Sequence, residues 1–518
     1  MMNAHNLFYQ YLKDNNLPDN PDIVLVNPPL DIYDPGQSGK YKTLPPFGLG
    51  ILATMADSAS IKTVLLDCEA IRLGPDEISS IIDDLNPSVL GFNLTSPTVK
   101  IVEIIINKLH ESPNLLIAGG VHPTTLKEYT FNQIPRLDAI FIGESEFAWI
   151  EYLRRMNKTG IINSSFKNSL RTIPGVIVKG YPLQGVGNKM DLDEIPFPER
   201  KYSINEPYKI PGGYQAGILS SRGCPFPCKF CAAAAFTGRT IRFRSINNLV
   251  DEIEIMLNDG ITHLHFGDDT FTVAPKRLKE FNTELRNRHI ELKWKSFSRT
   301  ESITEENLEN MKESGCHKLT FGIESGSDEV LRIMNKKQNR DDVRRAISLC
   351  NDFGIETKGF FMLGFPGETK EQMQQTIDFS IELGLGSAFF YIVRAFPGTE
   401  LFNSIINNGS GLSYTDLLDY QHIWPKITDN DLTDKQLLIK NKLEEEDIFD
   451  LNKTLKYNVT HMKSISEYSI DELCKEMANA YIQFYYRNDY LAQQDLRNFI
   501  SKKTSKSYLS NKATISRT

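Results

Sequence analysis

The chain has 518 residues, of which 40% are hydrophobic and 24% charged, and its formal net charge is −8. This composition is close to the globular average, so the chain can bury substantial cores and is not intrinsically disordered. The negative charge disfavours a general nucleic-acid binder, which needs a basic surface against phosphate. At about 150 residues per domain, the length predicts roughly three folding units, which we interpret as two large domains and a tail.

The N-terminus, MMNAHNLFYQYLKDNN, lacks the order of charged, apolar and small residues that marks a signal peptide. No apolar run approaches the roughly 20 residues that span a bilayer. We therefore expect a cytoplasmic protein with no membrane contact. The seven cysteines make a poor disulfide framework. Four of them, Cys68, Cys316, Cys350 and Cys474, are isolated and are interpreted as small buried apolar residues.

Between residues 21 and 155, after an N-terminal extension (1–20), short apolar runs alternate with helical patterns. The predicted strands are residues 23–26, 63–66, 89–92, 115–118 and 139–142. Each run is separated from the next by a segment long enough for a crossover helix. This alternation is typical of an α/β domain with a doubly wound, flavodoxin- or Rossmann-like parallel sheet that is buried on both faces.

Ligands of such sheets bind beyond the carboxyl ends of the strands. The candidate binding residues there are Asn27, Pro28, Thr95, Ser96, Gly119, Gly120, His122, Thr124, Gly143 and Glu144. The paired glycines permit close approach of a ligand to the backbone, and the hydroxyls can bond a polar group. Helix capping explains glycines and hydroxyls equally well, and a lone loop histidine is more often hydrogen-bonded than a metal ligand. No GxGxxG follows the first strand, so the dinucleotide-binding fingerprint is absent.

A loop-rich linker (156–212) precedes a second alternating series, which we place at residues 213–425. Its predicted strands are residues 216–221, 262–266, 292–297, 318–322, 358–363 and 388–393. The helix predicted at residues 248–258 presents Leu249, Ile253 and Met256 on one face and turns Glu252 away. Six strand-helix units in about 200 residues indicate a partial (β/α)6 barrel of the TIM type.

Barrels of this kind place their chemistry in the loops that follow the strands. Those loops carry Cys224, Cys228 and Cys231 after the first strand, Asp268 and Asp269 after the second, Ser298 and Arg299 after the third, Glu324 after the fourth, Gly364 and Gly367 after the fifth, and Arg394 after the sixth. Polar, charged and glycine residues therefore converge on one mouth of the barrel.

The three clustered cysteines, Cys224, Cys228 and Cys231, follow a Cx3Cx2C spacing. Pro225 and Pro227 prevent a helix between them and remove two backbone donors. A tetrahedral zinc site needs a fourth ligand, which no CxxC or HxxxH pair elsewhere supplies. A [4Fe-4S] cluster with three cysteines keeps one iron without a protein ligand, and that iron can bind an external chelate. The spacing favours the cluster over zinc or purely structural thiols.

The loop Cys224-Pro-Phe-Pro-Cys228-Lys-Phe-Cys231 resembles the radical SAM signature. The resemblance implies that the open iron chelates S-adenosylmethionine (SAM), that the reduced cluster cleaves it to a 5′-deoxyadenosyl radical, and that Phe230 lies near the adenine. On charge, Arg299 can hold the methionine carboxylate in a forked pair. The other candidate SAM-binding residues are Asp268, Asp269, Ser298, Glu324, Gly364, Gly367 and Arg394. One departure is that Asp268-Asp269 stands where the family usually has Gly-Gly-Glu.

The preceding α/β domain extends the resemblance to the cobalamin-binding radical SAM enzymes, over about residues 21–425. The matching stretches are Asn27-Pro28-Pro29, PPFGL at 45–49, GGVHPT at 119–124 and GESE at 143–146. The resemblance implies that the nucleotide tail of cobalamin enters this domain at the ten candidate residues named above, and that an external flavodoxin- or ferredoxin-type protein supplies electrons. The DxHxxG loop, whose histidine ligates cobalt in mutases, does not follow the first strand.

Past residue 425 the strand-helix alternation ends, which predicts a helical C-terminal segment (426–500) and a disordered tail (501–518). Ser469 and Glu472 form a capping box. The apolar stripe that follows, Leu473, Met477, Tyr481 and Phe484, is interpreted as core packing in preference to a substrate-binding surface.

The leading hypothesis is a cobalamin-dependent radical SAM C-methyltransferase that acts on a small metabolite or natural-product intermediate, by way of methylcobalamin and the 5′-deoxyadenosyl radical. One alternative keeps the radical but replaces methyl transfer by cyclisation, rearrangement or oxidation. Another is a radical SAM enzyme whose N-terminal domain binds no corrin.

Overall fold

A computed structural model describes residues 4–30, 44–202, 208–210, 213–407, 410–418, 432–445, 463–487 and 489–490. The chain forms two compact units, Met1–Pro225 with Ala232–Leu264, and Phe226–Cys231 with His265–Thr518. Among the described residues, no helix combines the length and the apolar character that a bilayer crossing requires. The predicted tail at 501–518 lies outside the described residues.

The first unit contains a six-stranded sheet in the order β2-β1-β3-β4-β5-β6. Its strands are β1 Ile23–Asn27, β2 Thr63–Asp67, β3 Val89–Asn93, β4 Leu115–Gly119, β5 Ala139–Phe141 and β6 Val176–Val178. The first five are parallel and confirm the five strands that the sequence predicts. β1 lies between β2 and β3, with Ile23 opposite both Thr63 and Val89, so the strand order reverses beside β1. Ligands of open α/β sheets bind at such a reversal.

The sixth strand lies in the segment predicted as a linker and pairs antiparallel with β5, with Ala139 opposite Val178. All three of its residues are buried. A run of three residues is too short for its periodicity to predict a strand, so β6 is identified only by its pairing with β5. The strand covers one edge of the sheet, whose backbone groups otherwise invite pairing with another chain.

Helices cover both faces of this sheet, because successive strand residues point to opposite sides. Val24 and Val26 pack into one core cluster with Ile81, whereas Ile23 and Leu25 pack into another. The helices of this part are α1 Ala4–Asp14, α2 Phe47–Ser58, α3 Cys68–Ile71, α4 Pro75–Leu85, α5 Val99–Lys108, α6 Val121–Leu126, α7 Thr130–Gln133, α8 Glu146–Thr159 and α9 Ser164–Ser169.

The first unit continues with short strands and two helices. These are β7 Lys209–Ile210, β8 Gly213–Ile218, β9 Ser221–Arg222, α10 Ala233–Phe236, β10 Arg242–Phe243, α11 Ile246–Asn258 and the start of β11 Ile261–Phe266. Helix α11 confirms the predicted helix, with Leu249, Ile253 and Met256 buried. The prediction that Glu252 faces away from the core is wrong. Glu252 is buried because Arg244 Nη1 donates to its Oε2 at 2.5 Å, and a paired carboxylate can be desolvated.

The second unit contains four parallel strands that are neighbours in chain order, each followed by at least one helix. The strands are β12 Lys293–Ser298, β13 Cys316–Glu324, β14 Glu356–Leu363 and β15 Ser387–Ile392. The helices are α12 Pro275–Asn287, α13 Glu305–Glu313, α14 Asp328–Ile333, α15 Arg340–Asp352, α16 Lys370–Glu382, α17 Glu400–Asn407, α18 Tyr414–Leu418, α19 Asp434–Glu445 and α20 Ile470–Tyr485. With β8 and β11, these strands account for all six predicted strands of the second series.

Helix α20 supplies hydroxyl groups to the backbone of β15. Tyr481 Oη accepts from Phe390 N and donates to Phe390 O, both at 3.3 Å. Tyr485 Oη does the same with Ala388 N and O, at 3.1 and 2.8 Å. The predicted stripe on this helix is buried, which confirms its core role. Two phenols thereby satisfy edge groups that a further strand would otherwise bond.

Candidate functional site

The cysteine loop is anchored in two halves. In the first unit, Cys224 N donates to Gly238 O at 3.0 Å, which closes the turn between β9 and β10. In the second unit, Lys229 N donates to Met334 O at 3.0 Å and Asn335 Nδ2 donates to Pro227 O at 2.9 Å. Because proline contributes no N–H, such external donors and acceptors fix the loop where it cannot bond itself.

Residues 334–338 form this anchor, and sequence reasoning missed them. Asn335 and Lys337 both adopt left-handed backbone conformations, with φ of 56° and 59°. That conformation is uncommon outside glycine, and asparagine tolerates it best. The Asn335 at the end of α14 was the one sequence signal for a tight turn here. Nothing local links that turn to cysteines about 100 residues earlier in the chain.

Arg299, the residue after β12, contacts the cysteine loop. Its guanidinium stacks on the Phe226 ring at 3.7 Å from the centroid, and Nη1 lies 3.9 Å from Cys228 Sγ. Nη2 donates to Glu301 Oε1 at 2.6 Å and to Lys336 O at 2.9 Å. The side chain is only 8% exposed. Arg299 therefore places a positive charge beside one of the three predicted cluster ligands. The forked pair with a carboxylate of SAM stays a prediction, because Glu301 already occupies part of the fork.

Glu324, the last residue of β13, adopts a left-handed backbone with φ of 71°. Its Oε1 accepts from Lys336 Nζ at 3.1 Å, and both side chains are almost buried. Lys336 therefore connects Glu324 to Arg299, which bonds the Lys336 carbonyl. The structure thus brings together Cys228, Arg299 and Glu324, three residues that the sequence predicted independently.

The remaining predicted SAM-binding residues follow their strands as expected, in varied settings. Ser298 Oγ lies 2.8 Å from Thr272 Oγ1 and is buried. Asp268 is buried and Asp269 half-buried, directly after β11. Phe230 and Arg394 are half-buried. Their contacts with SAM stay predictions.

The turn after β14 requires glycine at its first position. Gly364 has φ of 79°, and a Cβ there would lie 2.6 Å from Leu473 of α20. Glu368 Oε2 accepts from Gly364 N at 2.7 Å and Phe365 N at 3.0 Å. Burial raises the pKa of Glu368 to about 7, although these two N–H groups oppose the shift. Gly367, φ 84°, donates its N–H to Glu467 Oε2 at 3.3 Å. The sequence analysis named the two glycines of this turn and missed Glu368, which bonds the backbone of one of them.

The donor set fits an iron–sulfur cluster. Cys224 and Cys228 are half-buried, Cys231 is exposed, and none of the three forms a disulfide. Within the described part of the chain, no three His, Cys, Asp or Glu side chains are grouped as ligands to a single metal ion. A cluster distributes its cysteine ligands over different irons, so they stand farther apart than the ligands of one ion. Three thiols on one loop are the donors that such a cluster requires.

At the strand ends of the first unit, polar side chains bond each other. Asn27 Nδ2 donates to Asp67 Oδ1 at 2.8 Å, and Asn93 Nδ2 donates to Asn27 Oδ1 at 3.4 Å. The hydroxyl of Tyr208 also donates to Asp67. Burial raises the pKa of Asp67 to about 6, against the lowering effect of the bonds from Asn27 and Tyr208. Asn27 is therefore fixed by its neighbours, and Pro28 next to it is buried.

Both ring nitrogens of His122 have protein partners. Nδ1 lies 3.0 Å from Ser96 Oγ, and Nε2 lies 2.8 Å from Gln133 Oε1. Because Gln133 Oε1 only accepts, Nε2 carries the proton and Nδ1 accepts from Ser96. Burial lowers the pKa of His122 to about 4, so the ring is neutral near pH 7. The structure gives His122 a role in orienting Ser96, and a direct contact with cobalamin stays a prediction.

Of the glycines and hydroxyls at the ends of β3, β4 and β5, some contact this chain's own backbone and others have open space beside them. A Cβ at Gly120, φ 110°, would lie 2.6 Å from Leu94 O, so the close approach is to this chain's own backbone. Thr124 Oγ1 accepts from Gly143 N at 2.8 Å, and Thr95 N bonds Thr98 Oγ1 at 3.0 Å. A Cβ at Gly143 would meet nothing within 4 Å, whereas one at Gly119 would only touch Phe141.

Glu144 is a buried ion-pair centre. Arg222 Nη1 donates to Glu144 Oε2 at 2.8 Å, Arg242 Nη2 bonds both of its oxygens, and Lys189 Nζ lies 3.4 Å away. Burial raises the pKa of Glu144, but the bonds and charges of Arg242 and Arg222 outweigh burial and hold it below its usual value. Arg222 also bonds Glu146 at 2.6 Å. The carboxylate that the sequence predicted for cobalamin is thus held within the unit, and a cobalamin contact stays a prediction.

Comparison with known families supports the assignments in both halves of the chain. The family model described as "Radical SAM superfamily" matches residues 218–380, and that described as "B12 binding domain" matches residues 41–152. The first match includes the three-cysteine loop, and the second includes the ends of β2, β3, β4 and β5.

Two relatives are similar over most of their length. The chain is 31% identical to an uncharacterised methyltransferase of Pyrococcus horikoshii, over 74% of this chain and 83% of the relative. It is 28% identical to the cytidylyl-2-hydroxyethylphosphonate methyltransferase of Streptomyces wedmorensis, over 75% of this chain and 82% of the relative.

Among solved structures, the fold is similar to that of the radical S-adenosylmethionine methyltransferase TsrM from Kitasatospora setae, bound to cobalamin and a [4Fe-4S] cluster. The TM-score is 0.60 at 19% identity, covering 75% of this chain and 78% of that one. This likeness confirms the predicted fold class, a doubly wound parallel sheet followed by a partial barrel and a helical segment.

Proposed function

Because this chain belongs to the radical SAM enzymes that carry a B12-binding domain, we propose that it is a methyltransferase acting on a carbon atom of a small molecule. Its cofactors are a [4Fe-4S] cluster, S-adenosylmethionine and cobalamin. The observation that carries the proposal is the three-cysteine loop, anchored by residues 334–338 and faced by Arg299, on a chain whose N-terminal sheet matches the B12-binding family.

When bound, the cluster supplies an electron for cleavage of SAM, and cobalamin carries the methyl group. The chain holds these groups and excludes water. Cys224, Cys228 and Cys231 ligate the cluster in this proposal, and Arg299 places its positive charge beside the sulfur of Cys228. Glu324 and Lys336 fix Arg299 by a buried ion pair and a backbone acceptor, so its position does not depend on solvent.

We extend the proposal to the other site residues and to the domain limits. SAM contacts Phe230, Asp268, Asp269, Ser298, Arg299, Glu324, Gly364, Gly367 and Arg394. Cobalamin contacts Asn27, Pro28, Thr95, Ser96, Gly119, Gly120, His122, Thr124, Gly143 and Glu144, by backbone groups where the side chain is already bonded. The cobalamin-binding domain spans residues 21–155 and the barrel residues 213–425.

A small-molecule substrate is proposed from the kind of reaction and from the relatives. The Streptomyces wedmorensis relative is named for a nucleotide-linked phosphonate, and the Kitasatospora setae enzyme has been solved with tryptophan as substrate. We also propose a flavodoxin- or ferredoxin-type protein as electron donor, because the described chain offers cysteine ligands for one cluster.

The test is anaerobic reconstitution of the full chain with iron, sulfide and hydroxocobalamin, followed by SAM, a reductant and a panel of candidate small molecules. We expect iron, sulfide and cobalt to be retained, a corrin absorption band to appear, and both 5′-deoxyadenosine and S-adenosylhomocysteine to form. Mass spectrometry of the product then locates the added methyl group.

Three results separate the alternatives. Formation of neither nucleoside with an intact cluster contradicts a radical SAM reaction. 5′-Deoxyadenosine without S-adenosylhomocysteine indicates cyclisation, rearrangement or oxidation in place of methyl transfer. Absence of cobalt and of the corrin band after loading indicates that the N-terminal domain binds no corrin.

A further inference from the structure

One face of the sheet in the second unit is left uncovered by its helices. Alternate residues of β14, such as Thr357 and Phe361, are fully buried, whereas Lys358 and Phe360 between them are half-buried. The same alternation runs through β12, β13 and β15. Helices cover the outer face of a strand-helix barrel, so the half-buried residues line its inner face.

That inner face carries lysines on three adjacent strands. Lys295 on β12 is paired in register with Lys318 on β13, and Lys358 lies on β14 next to them. Lys318 Nζ bonds Glu356 Oε1 at 2.6 Å at the start of β14. Lys358 Nζ has no carboxylate within ion-pair distance in the described part of the chain and lies 3.7 Å from the centroid of the Phe389 ring. A cation on a ring face that forms no ion pair of its own can still bind an anion.

Aromatic rings surround these lysines. Phe360 is 6.0 Å from Phe297 and 6.1 Å from Phe389, between ring centroids, so the three form a row across β12, β14 and β15. His265 extends the row beyond Phe297, at 5.7 Å. Rings in such a row can pack against a flat, apolar molecular body.

Electrostatics of the same face favour an anion. Burial and then the neighbouring Lys318 and Lys295 together lower the pKa of Lys358 to about 8, against a smaller raising effect of Glu356. His265 is lowered to a pKa of about 4, by burial and then by Lys295 and Lys358, so it stays neutral. Like charges crowded on a half-buried face repel one another, and a bound anion relieves that repulsion.

From this juxtaposition of Lys295, Lys318 and Lys358 with the ring row, we propose that the inner face binds the anionic group of the substrate. The substrate class is a small molecule with a carboxylate or phosphate-type group on a flat apolar body. The inference rests on the proposed function for the identity of the bound molecule as substrate. Nothing in the radical SAM assignment itself requires an anion.

The register places this anion site close to the cysteine loop. Lys358 is in register with Thr320, and Thr320 with Phe297, which precedes Arg299 by two residues. Two strand residues span about 7 Å, so Lys358 lies about 7 Å below the level of Arg299, and Lys295 and Lys318 lie about twice as far below it. The carbon that reacts is therefore expected several bonds away from the anionic group.

The test uses the reconstituted full chain and a probe pair of equal shape, 3-phenylpropionate and its neutral amide, 3-phenylpropanamide. Affinities are measured by calorimetry or ligand-observed NMR. We expect the carboxylate to bind about tenfold more tightly, as for a hydrogen bond to a charged group. Lys358→Met is expected to abolish this preference and Lys358→Arg to retain it. The matched control Lys276→Met, on an exposed helix position, is expected to leave it unchanged.

Equal affinity for the two probes, or binding of neither to the wild-type chain, overturns the proposal without reference to any variant. A preference that survives Lys358→Met in a folded variant also overturns it. 5′-Deoxyadenosine formation from SAM is measured on the same wild-type sample. If that nucleoside forms, a negative binding result counts against the anion site alone, and if it does not form, the proposed function fails independently of the probes.

Discussion

The strand ends of the first unit and those of the second use their polar residues differently. In the first unit Asn27, Asp67 and Asn93 bond one another, and His122 has a partner on each ring nitrogen. In the second unit Arg299 lies against the sulfur of Cys228, one of three loop cysteines that form no disulfide. Because these side chains of the first unit are hydrogen-bonded within it, backbone groups and small residues are left to contact a ligand. Arg299 also has partners within the unit, but one nitrogen of its guanidinium lies beside a predicted cluster ligand.

The two sheets also protect their last strands differently. In the first unit β6 pairs antiparallel with β5 and covers that edge by backbone bonds. In the second unit, the hydroxyls of Tyr481 and Tyr485 bond the backbone of β15. A strand protects an edge by repeating the ladder, whereas a helix must use side chains, because its own backbone bonds are internal.

The largest effect is expected from replacing one cysteine of the loop. Cys228→Ala is expected to remove the cluster and all detectable 5′-deoxyadenosine, because a cluster with two remaining ligands is not retained. The matched control Cys350→Ala, a buried cysteine in α15, is expected to keep its iron. Iron and sulfide analysis with liquid chromatography of the nucleoside checks both. Full iron content in Cys228→Ala would contradict the assigned ligand set.

The next effect concerns buried charge in the first unit. Glu144→Gln leaves Arg242 without its carboxylate and Arg222 with Glu146 alone, and it is expected to cost about 3–5 kcal/mol of unfolding free energy. Glu301→Gln, at a half-exposed carboxylate in the second unit, is expected to cost about 1 kcal/mol or less. Urea unfolding compares them, with exposed Glu111→Gln as control. Equal costs for Glu144 and Glu301 would contradict the contrast in burial.

The edge of the second sheet gives a smaller effect. Tyr481→Phe and Tyr485→Phe each leave one N–H and one C=O of β15 unbonded and are expected to cost about 1–3 kcal/mol. The control is Tyr468→Phe, whose ring lies under Lys370 and whose hydroxyl makes no hydrogen bond within the described residues. Thermal unfolding measures all three. If the control loses as much stability as the others, the edge-bonding role is wrong.

The smallest expected effect is on the pH dependence of the unfolding free energy, to which one buried carboxyl group in each unit contributes. Glu368 in the second unit has a pKa raised to about 7 from 4.5, and Asp67 in the first has one raised to about 6 from 3.8. The folded chain therefore holds more protons than the unfolded chain in these windows, and stability falls as pH rises through them.

Glu368→Gln is expected to flatten the slope between about pH 4.5 and 7, by at most about 1.4 kcal/mol per pH unit for one proton. Asp67→Asn is expected to flatten it between about pH 4 and 6. Exposed Glu309→Gln serves as the control. Urea midpoints measured across pH check the sign, and a steeper slope in Glu368→Gln would contradict the raised pKa.

The positions of the strands and of the cysteine loop could be predicted from sequence because their signals are local. All five predicted strands of the first sheet were found, and each carries its own apolar run. Likewise, Cys224, Cys228 and Cys231 lie within eight residues, so their spacing alone indicates a shared centre.

Partners distant in sequence were decided only by the tertiary structure. Arg222 and Arg242 bury Glu144 from about 80 to 100 residues away, and Asn335 anchors Pro227 across a similar separation. The lysines of the inner face likewise meet only when their strands pair in register. Periodicity fixes which residues form a strand or helix, but a side chain's bonds depend on what packing brings beside it, and that is a property of the whole fold.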